Sequence, residues 1–208
     1  MPDGSWNDNQ KRILDAAADE FAMRGYDATT IDDIARHVGQ TKGLIYYSFQ
    51  SKIAIFFAVY ERGMLELIDE TTGNVLDATT GEERLRTAVV THLRRLLDQP
   101  AYTTVIQMGL ERSRHVAMKP EVVAALDDLV ELRHRYEALI QSYIEAGIDD
   151  GTIRRVPVRL AVRTVVGAVL SVLHWYQLDP DQSAEERREM AEEVAALVVQ
   201  GVAAAEPS

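Results

Sequence analysis

Apolar residues recur at helical spacing through almost every segment of the chain. The first segment places them at Leu14, Ala17, Ala18 and Phe21. A shorter segment repeats the pattern at Ile31, Ile34, Ala35 and Val38. Runs of β-branched residues that alternate with polar ones, which are typical of strands, do not occur in the sequence. The pattern therefore predicts an all-α protein.

Glycine, proline and capping residues divide this pattern into about nine predicted helices. Three short helices precede a long fourth one, and five more follow. Pro120 and Pro157 lie at the first turn of a predicted helix, where the missing proline N–H costs no hydrogen bond. The predicted helices cover approximately residues 9–24, 30–39, 41–49, 52–73, 82–97, 102–116, 120–146, 157–176 and 183–205. We expect an N-terminal domain at 1–52 and a larger C-terminal helical domain at 53–208.

The segment from Thr30 to Phe49 has the anatomy of a helix-turn-helix, with Gly39 and Gln40 at the tight turn. Thr30 is a good N-cap for the first helix of the pair, because its hydroxyl can accept an early backbone N–H. Thr41 can cap the second helix in the same way. The N-terminal domain is therefore expected to hold three helices, of which the last two form this motif.

The second helix of the pair has an inner and an outer side. Ile45 and Phe49, four residues apart, fall on one face and are expected to pack inward. Tyr46 and Tyr47 are adjacent, and adjacent residues diverge by about 100° around a helix. At least one of the two tyrosines is therefore exposed.

Gly43 lies inside this short predicted helix. Glycine in a helix interior costs about 1 kcal/mol relative to alanine. Its presence indicates that another backbone, here that of DNA, approaches closely. The alternative is a three-helix packing motif with no nucleic-acid role.

The stretch FAMRGYDATTIDDIARHVGQTKGLIYYSFQSK resembles the N-terminal domain of the TetR (tetracycline-repressor) family of transcriptional regulators, and the resemblance covers about residues 11–55. It implies that Thr30 contacts a DNA phosphate and that Lys52, with the first amides of the fourth helix, binds another. It also implies that Tyr46 and Tyr47 meet the backbone and base edges of double-stranded operator DNA. The predicted DNA-binding residues are Thr30, Gln40, Thr41, Lys42, Gly43, Tyr46, Tyr47, Ser48 and Lys52.

Two positions depart from the usual pattern of that family. Gln40 stands where an apolar turn residue is common, and Ser48 stands where histidine is common. Gln40 can face solvent or a base edge, and Ser48 still offers a hydroxyl. The operator sequence therefore does not follow from the resemblance.

The charge of the chain limits how it can hold DNA. The sequence carries 22 Lys and Arg against 33 Asp and Glu, a formal net charge of −11. Proteins that bind DNA by electrostatic attraction alone are basic overall. The first fifty residues are also acidic in balance. Any DNA contact must therefore be local, through a few donors aimed at phosphates.

Other functional classes find little support in the sequence. There is no cysteine, which excludes disulfides and thiolate metal sites and fits a reducing cytoplasm. The first residues lack the pattern of a secretory signal, and the longest apolar stretch, 164–178, is shorter than the ~20 residues of a membrane span. His92, His115, His134 and His174 lack a metal-binding spacing. We expect a cytoplasmic protein with no metal, cofactor, catalytic residue or membrane contact; the alternative is a helical enzyme or a metal-binding bundle.

One helix-turn-helix reads only half of an operator, so a homodimer is expected to bind a palindromic site. Its seam is expected in the last two long helices, at Leu160, Thr164, Ala168, Val172, Val194, Leu197, Val198 and Gly201. Two such helices from each chain would form a four-helix bundle. The apolar side of each of these helices can also pack against the core of its own chain. We expect each helix to contact both the partner chain and its own core.

The resemblance further implies a C-terminal ligand-binding and dimerisation domain, in which a small-molecule effector releases the repressor from DNA. An activator remains the alternative. Candidate pocket residues combine aromatic, methionine and a few polar side chains, a mixture that suits a large apolar cavity, although each is also common in ordinary cores. They are Met64, Tyr102, Met108, Glu111, His115, Tyr136, Tyr143 and Trp175. Glu111 can instead pair with Arg112 or Arg114.

The segment His174-Trp175-Tyr176 is similar to family branches that sense lipids or acyl-CoA thioesters. In those branches an arginine commonly follows, whereas Gln177 follows here. We expect an acyl-type or other hydrophobic effector first and a cationic, multidrug-type effector second.

Overall fold

A computed structural model describes residues 6–112, 120–176 and 181–203, and within these ranges the chain forms nine α-helices and no named strand. The all-α prediction is confirmed, and each predicted helix is present with its ends shifted by a few residues. The helices are α1 (Asp8–Ala28), α2 (Ile31–Val38), α3 (Lys42–Ser48), α4 (Lys52–Asn74), α5 (Gly81–Asp98), α6 (Pro100–Arg112), α7 (Pro120–Asp150), α8 (Val158–Trp175) and α9 (Ala184–Gln200).

The predicted first helix ends at residue 24, and α1 is broken by a kink at the next residue, Gly25. Its φ of 78° and ψ of 160° interrupt the helix, which continues to Ala28. A positive φ of this size is accessible to glycine because it has no Cβ. The kink leaves carbonyl groups near the end of α1 that must find partners outside the helix.

The chain divides into two compact units that do not follow the predicted division after residue 52. The N-terminal unit contains α1, α2, α3, α4 up to Glu66, α6, and α7 up to Arg133. The C-terminal unit contains the rest of α4, α5, the rest of α7, α8 and α9. Two helices, α4 and α7, therefore belong partly to each unit.

The N-terminal unit is built on a core shared by its helices. Phe21 of α1 meets Phe56 of α4 edge-on, with ring centroids 5.5 Å apart. Ile34 of α2 and Ile45 of α3 are fully buried in the same cluster. Val105 of α6 is also fully buried there, and α6 packs against α1.

Two glycines let α4 and α6 approach each other closely. A Cβ on Gly109 of α6 would lie 2.8 Å from the ring of Tyr60 on α4. A Cβ on Gly63 of α4 would lie 3.1 Å from Ile106 of α6. Because α6 is held this tightly, it belongs with the helix-turn-helix, although the whole of α5 lies between α4 and α6 in the chain.

In the C-terminal unit, α5 packs against both α8 and α9. Leu85 and Leu93 of α5 are fully buried. The backbone N–H of Gly81 donates to the Asp150 carboxylate at 2.7 Å, and a Cβ on Gly81 would lie 2.0 Å from the backbone nitrogen of Gly147. The start of α5 thus lies directly on the end of α7, where no larger residue than glycine fits.

Helix α8 has one side in the core and one side open. Val165, Val169 and Val172 are buried, but only 28% of this 18-residue helix is buried within the chain. Among the described residues it is the one helix long and apolar enough to cross a membrane. A single helix of this kind is weak support for a membrane span, because core helices of soluble proteins pass the same test.

Candidate nucleic-acid interface

Helix α2 begins with a reciprocal capping arrangement between Thr30 and Asp33. The Asp33 N–H donates to the Thr30 hydroxyl at 3.2 Å, and the Thr30 N–H donates to the Asp33 carboxylate at 3.0 Å. The Thr30 hydroxyl donates to the same carboxylate at 2.6 Å. These hydrogen bonds from Thr30 lower the pKa of Asp33 to about 2. A phosphate contact through the Thr30 hydroxyl would therefore have to replace its bond to Asp33.

The turn of the motif is closed by the backbone, as the sequence predicts. Gly39 has a φ of 70°, in the left-handed region. Its N–H donates to the carbonyl of Arg36 at 3.2 Å, and the N–H of Gln40 donates to the carbonyl of Ala35 at 2.8 Å. Such bonds satisfy the last carbonyls of a helix and direct the chain away from it. They position the start of α3.

Helix α3 has the inner and outer sides that the residue spacing predicts. Ile45 is fully buried, and Phe49, directly after the helix, is nearly so. Tyr46 is 48% exposed and Tyr47 is 91% exposed. Both tyrosines are therefore available to a partner outside the chain.

Thr41 and Gly43 leave open space at the beginning of α3. Thr41 occupies the N-cap position, but contrary to expectation its hydroxyl makes no capping hydrogen bond. Instead its carbonyl accepts the N–H of Leu44 at 3.0 Å. A Cβ on Gly43 would meet nothing closer than the Thr41 hydroxyl, at 3.9 Å. Because packing within the protein does not require a glycine here, its presence supports close approach by an external backbone.

Lys42 is exposed and is paired with Asp32. Its ammonium group donates to the Asp32 carboxylate at 2.7 Å, and both side chains are about half exposed. This bond raises the pKa of Lys42 above its ordinary value. A DNA phosphate or base must compete with Asp32 for this cation. The sequence analysis missed the pair, because the two residues are ten apart on different helices.

Lys52 is engaged within the protein rather than facing outward. Its ammonium group donates to the carbonyls of Tyr26 and Thr29 at 2.7 Å and of Asp27 at 3.2 Å, and it lies 4.5 Å from the ring centroid of Tyr26. An ammonium group has three hydrogens, and these acceptors use them all. These bonds join Lys52 to the last carbonyls of α1 and to that of Thr29, directly after it, so a phosphate at Lys52 would have to replace one of them.

The two residues that depart from the family pattern, Gln40 and Ser48, meet a common neighbour. The Gln40 side-chain amide donates to the side-chain oxygen of Asn9 on α1. The Asn9 amide nitrogen donates to the Ser48 hydroxyl at 3.4 Å. Sequence reasoning did not single out Asn9, since it precedes Gln40 by 31 residues.

The predicted pocket residues are distributed over both units. Met64 and Tyr102 are buried and Met108 is half-buried in the N-terminal unit, whereas Tyr136 and Tyr143 are buried in the C-terminal unit. Trp175 is 56% exposed. The side chains of Glu111 and His115 lie outside the described residues.

Tyr102 has a structural role in the N-terminal unit. Its hydroxyl donates to the carboxylate of Asp15 on α1 at 2.8 Å and accepts from Arg62 on α4 at 2.8 Å. Arg62 also donates to Asp15 at 2.9 Å. These three side chains join α1, α4 and α6.

The C-terminal unit contains buried polar side chains. His92 Nδ1 lies 2.8 Å from the hydroxyl of Tyr136, and burial lowers the pKa of His92 to about 4 and raises that of Tyr136. The Thr71 hydroxyl is fully buried and has no hydrogen-bond partner among the described residues. Sequence reasoning treated His92 as an isolated histidine, because nothing in its spacing indicates Tyr136.

The predicted dimer residues divide between the surface and the core. Leu160 and Leu197 are 62% and 72% exposed. Thr164 and Gly201 are also exposed, and the half-buried members are Ala168, Val194 and Val198. Val172 is fully buried in its own chain, so we leave it out of the proposed interface.

Comparison with known proteins identifies two matching regions of the chain. A family model for bacterial regulatory proteins of the tetR family matches residues 13–59, and one for the tetracyclin repressor-like C-terminal domain matches residues 78–202. The second match alone covers more than half of the 208 residues. The chain belongs to the TetR family of transcriptional regulators.

Individual relatives agree with this assignment. The fatty acid metabolism regulator protein of Bacillus subtilis is 24% identical over 166 residues, 76% of this chain and 78% of that protein. The transcriptional repressor KstR2 of Rhodococcus jostii is 29% identical over 171 residues, 79% of this chain and 78% of that protein. The solved structure of the TetR-family regulator PfmR from Thermus thermophilus matches with a TM-score of 0.76 and 25% identity, over 91% of this chain and 97% of that one.

Within the part of the chain that the structure describes, no group of three or more His, Cys, Asp or Glu side chains is arranged to hold a metal ion. The named relatives are transcriptional regulators. The groups that the interface presents are aromatic, cationic and amide side chains on and beside α3.

Proposed function

We propose that this TetR-family protein is a repressor that binds a palindromic operator as a homodimer and is released by a small hydrophobic effector of acyl type. The observation that carries the proposal is the outer side of α3. It presents two exposed tyrosines, an exposed lysine and an unobstructed glycine on a helix-turn-helix whose inner side is buried. These groups fit a major groove, where α-helices read base edges.

The charge balance makes the position of each donor important. With a net charge of −11, the chain has no general attraction for DNA. Lys42 lies at the first position of α3, and Ser51 caps α4 by accepting the Ala54 N–H at 3.2 Å. The amides that begin α4 remain suited to a phosphate. DNA binding then rests on these donors rather than on Lys52.

The exposed side of α8 and α9 supports the homodimer. Leu160 and Leu197 are large apolar side chains that the single chain leaves in water, and burying each would contribute about 1.5 to 3 kcal/mol. Gly167 on α8 has nothing within 4 Å of a Cβ position, so a partner helix can approach there. Two chains joined at these helices supply the two recognition helices that a palindrome needs.

The effector class rests on the relative from Bacillus subtilis, whose name assigns it to fatty acid metabolism. The direction of regulation rests on the relative from Rhodococcus jostii, which is named as a repressor. The buried Thr71 hydroxyl offers a polar group that the described residues leave without a partner. A hydrophobic ligand with one polar end would match such surroundings.

The test is selection of bound fragments from random DNA by the purified full-length protein, followed by release with a long-chain acyl-CoA, the free fatty acid or a lipophilic cation. We expect a palindromic consensus, and release by the acyl compounds. Replacing Lys42 and Tyr46 by alanine should abolish selection without changing helicity or dimerisation, since both side chains are exposed. Equal selection by the double variant, or release by the cation alone, would overturn the corresponding part of the proposal.

A further inference from the structure

One side chain on α1 makes hydrogen bonds to side chains just before the recognition helix and at its end. Asn9 lies in the first turn of α1, which Asn7 and Gln10 cap reciprocally with hydrogen bonds of 2.9 and 3.1 Å. Its oxygen accepts from Gln40, which precedes α3, and its nitrogen donates to Ser48, the last residue of α3. We call these three side chains the Asn9 bridge.

Helix α3 has few other anchors. It has seven residues, and Ile45 is the one buried residue within it. Phe49 adds a second apolar contact immediately after the helix. Burial of these two residues sets which side of α3 faces the core, and the bond from Lys42 to Asp32 adds one polar contact with α2. Hydrogen bonds are directional, and the Asn9 bridge supplies one beside each end of the helix.

The bridge also determines which polar groups face outward. The Gln40 amide nitrogen is used by Asn9, and the Gln40 side-chain oxygen is buried with no partner among the described residues. Ser48 is half-buried and its hydroxyl accepts from Asn9. By contrast, Lys42, Tyr46 and Tyr47 are exposed.

We propose that Asn9 is a positioning residue for operator recognition. It holds Gln40 and Ser48 against α1 and thereby fixes the orientation in which the exposed residues of α3 meet base edges. Asn9 acts through these two residues and touches no base itself. The inference rests on the proposed function, because it requires that α3 reads DNA.

Replacing Asn9 should reduce the specificity for operator DNA rather than the general affinity for DNA. Without the bridge, α3 can adopt several orientations, and Gln40 is free to contact bases. A hydrogen bond typically contributes about 0.5 to 1.5 kcal/mol, so we expect the ratio of operator to random-DNA affinity to fall about two- to twelvefold in Asn9→Ala. The dependence of affinity on salt should not change, because asparagine neutralises no phosphate.

The experiment is a double-mutant cycle on the full-length protein, with operator and random-DNA affinities measured at several salt concentrations. The variants are Asn9→Ala, the pair Gln40→Ala with Ser48→Ala, and all three together. If Asn9 acts through its two partners, adding Asn9→Ala to the pair has no further effect. Gln10→Ala is the matched control, because it weakens the same end of α1 but does not contact α3.

Each outcome decides the question. If the wild-type protein selects no sequence, the proposed function fails and the inference fails with it. If the wild type selects an operator and Asn9→Ala keeps the same specificity ratio, the inference alone is overturned. Independent, additive effects of the variants would mean that Gln40 and Ser48 read bases directly, which also overturns it. A fall of the same size in Gln10→Ala would assign the effect to α1 stability instead and reject the positioning role.

Discussion

Among single residues, several polar side chains of the helix-turn-helix and its neighbouring helix already have hydrogen-bond partners within the chain. Lys42 is paired with Asp32, Lys52 with three carbonyls, and Gln40 with Asn9. DNA therefore meets groups that already have partners. Each bond to DNA therefore contributes only the difference between its own free energy and that of the bond that it displaces within the chain.

Replacing Asp32 by asparagine should increase DNA affinity. The substitution removes the carboxylate that competes for Lys42 and also one negative charge near the phosphates. If Lys42 then contacts a phosphate more fully, the salt dependence of binding should steepen by up to about one ion per recognition helix. Titrations with operator DNA at several salt concentrations measure both quantities. Asp149→Asn, an exposed substitution in the C-terminal unit with the same charge change, should leave them unaltered.

The buried His92 should make the folded state sensitive to acid. Its pKa is about 4 in the folded protein, below the ordinary value of 6.5, because burial disfavours the charged ring. The unfolded chain therefore binds a proton first as pH falls, and the free energy of unfolding should decrease between about pH 6.5 and 4. The slope from this group is at most about 1.4 kcal/mol per pH unit.

Urea unfolding at a series of pH values measures this slope. Replacing His92 by glutamine keeps a polar group that does not titrate. The free energy of unfolding of this variant should depend less on pH between about pH 6.5 and 4. Equal slopes in the wild type and the variant would show that His92 does not remain neutral in the folded chain.

Among the helices, α6 has packing partners that the order of the helices along the chain does not predict. It follows α5 in the chain, yet it packs with α1 and α4 in the N-terminal unit. Gly63 and Gly109 allow this approach, and Tyr102 joins α6 to Asp15 and Arg62 by hydrogen bonds. These contacts join α6 to the helix that carries Asn9.

Gly109→Ala should destabilise the protein although alanine is the better helix former. The new Cβ would lie 2.8 Å from the ring of Tyr60, which is almost fully buried. Overpacking of this kind typically costs about 1 to 3 kcal/mol, against a gain of about 1 kcal/mol in helix propensity. Thermal unfolding measures the balance. Gly73→Ala in α4, which has nothing within 4 Å, is the control and should not lower the melting temperature.

For the whole molecule, the described residues of the single chain leave apolar surface exposed on α8 and α9. Leu160 and Leu197 are exposed on α8 and α9, and less than a third of α8 is buried within the chain. The proposed homodimer covers this surface and brings two recognition helices together. Both the association and the operator affinity then depend on the same few side chains.

Replacing Leu160 and Leu197 by aspartate should convert the protein to a monomer. Two charges on an apolar interface oppose association, whereas both positions are exposed in the single chain, so the fold should persist. Sedimentation measures the mass, circular dichroism the helicity, and DNA titration the loss of operator affinity. Leu76→Asp, at a residue that is 80% exposed and outside the proposed interface, is the control. A double variant that still sedimented as a dimer would place the interface elsewhere.

The helices, the turn at Gly39, and the inner and outer sides of α3 could all be predicted from local sequence. These features depend on residues within four or five positions of one another, and helical geometry converts such spacing directly into a face. The same local character made the TetR-family motif recognisable over about residues 11–55. Local pattern could therefore indicate the kind of function.

Which polar groups already have a partner within the chain could not be predicted from the sequence and follows from the packing of the helices. The partners of Lys42, Lys52, Gln40 and Tyr102 lie 10 to 87 residues away in the chain. The division into units also depended on α6 packing against α1. Contacts at such separations arise from the packing of whole helices, which no periodicity in the sequence encodes. For that physical reason the sequence predicted the recognition helix, and the fold alone revealed what holds it in place.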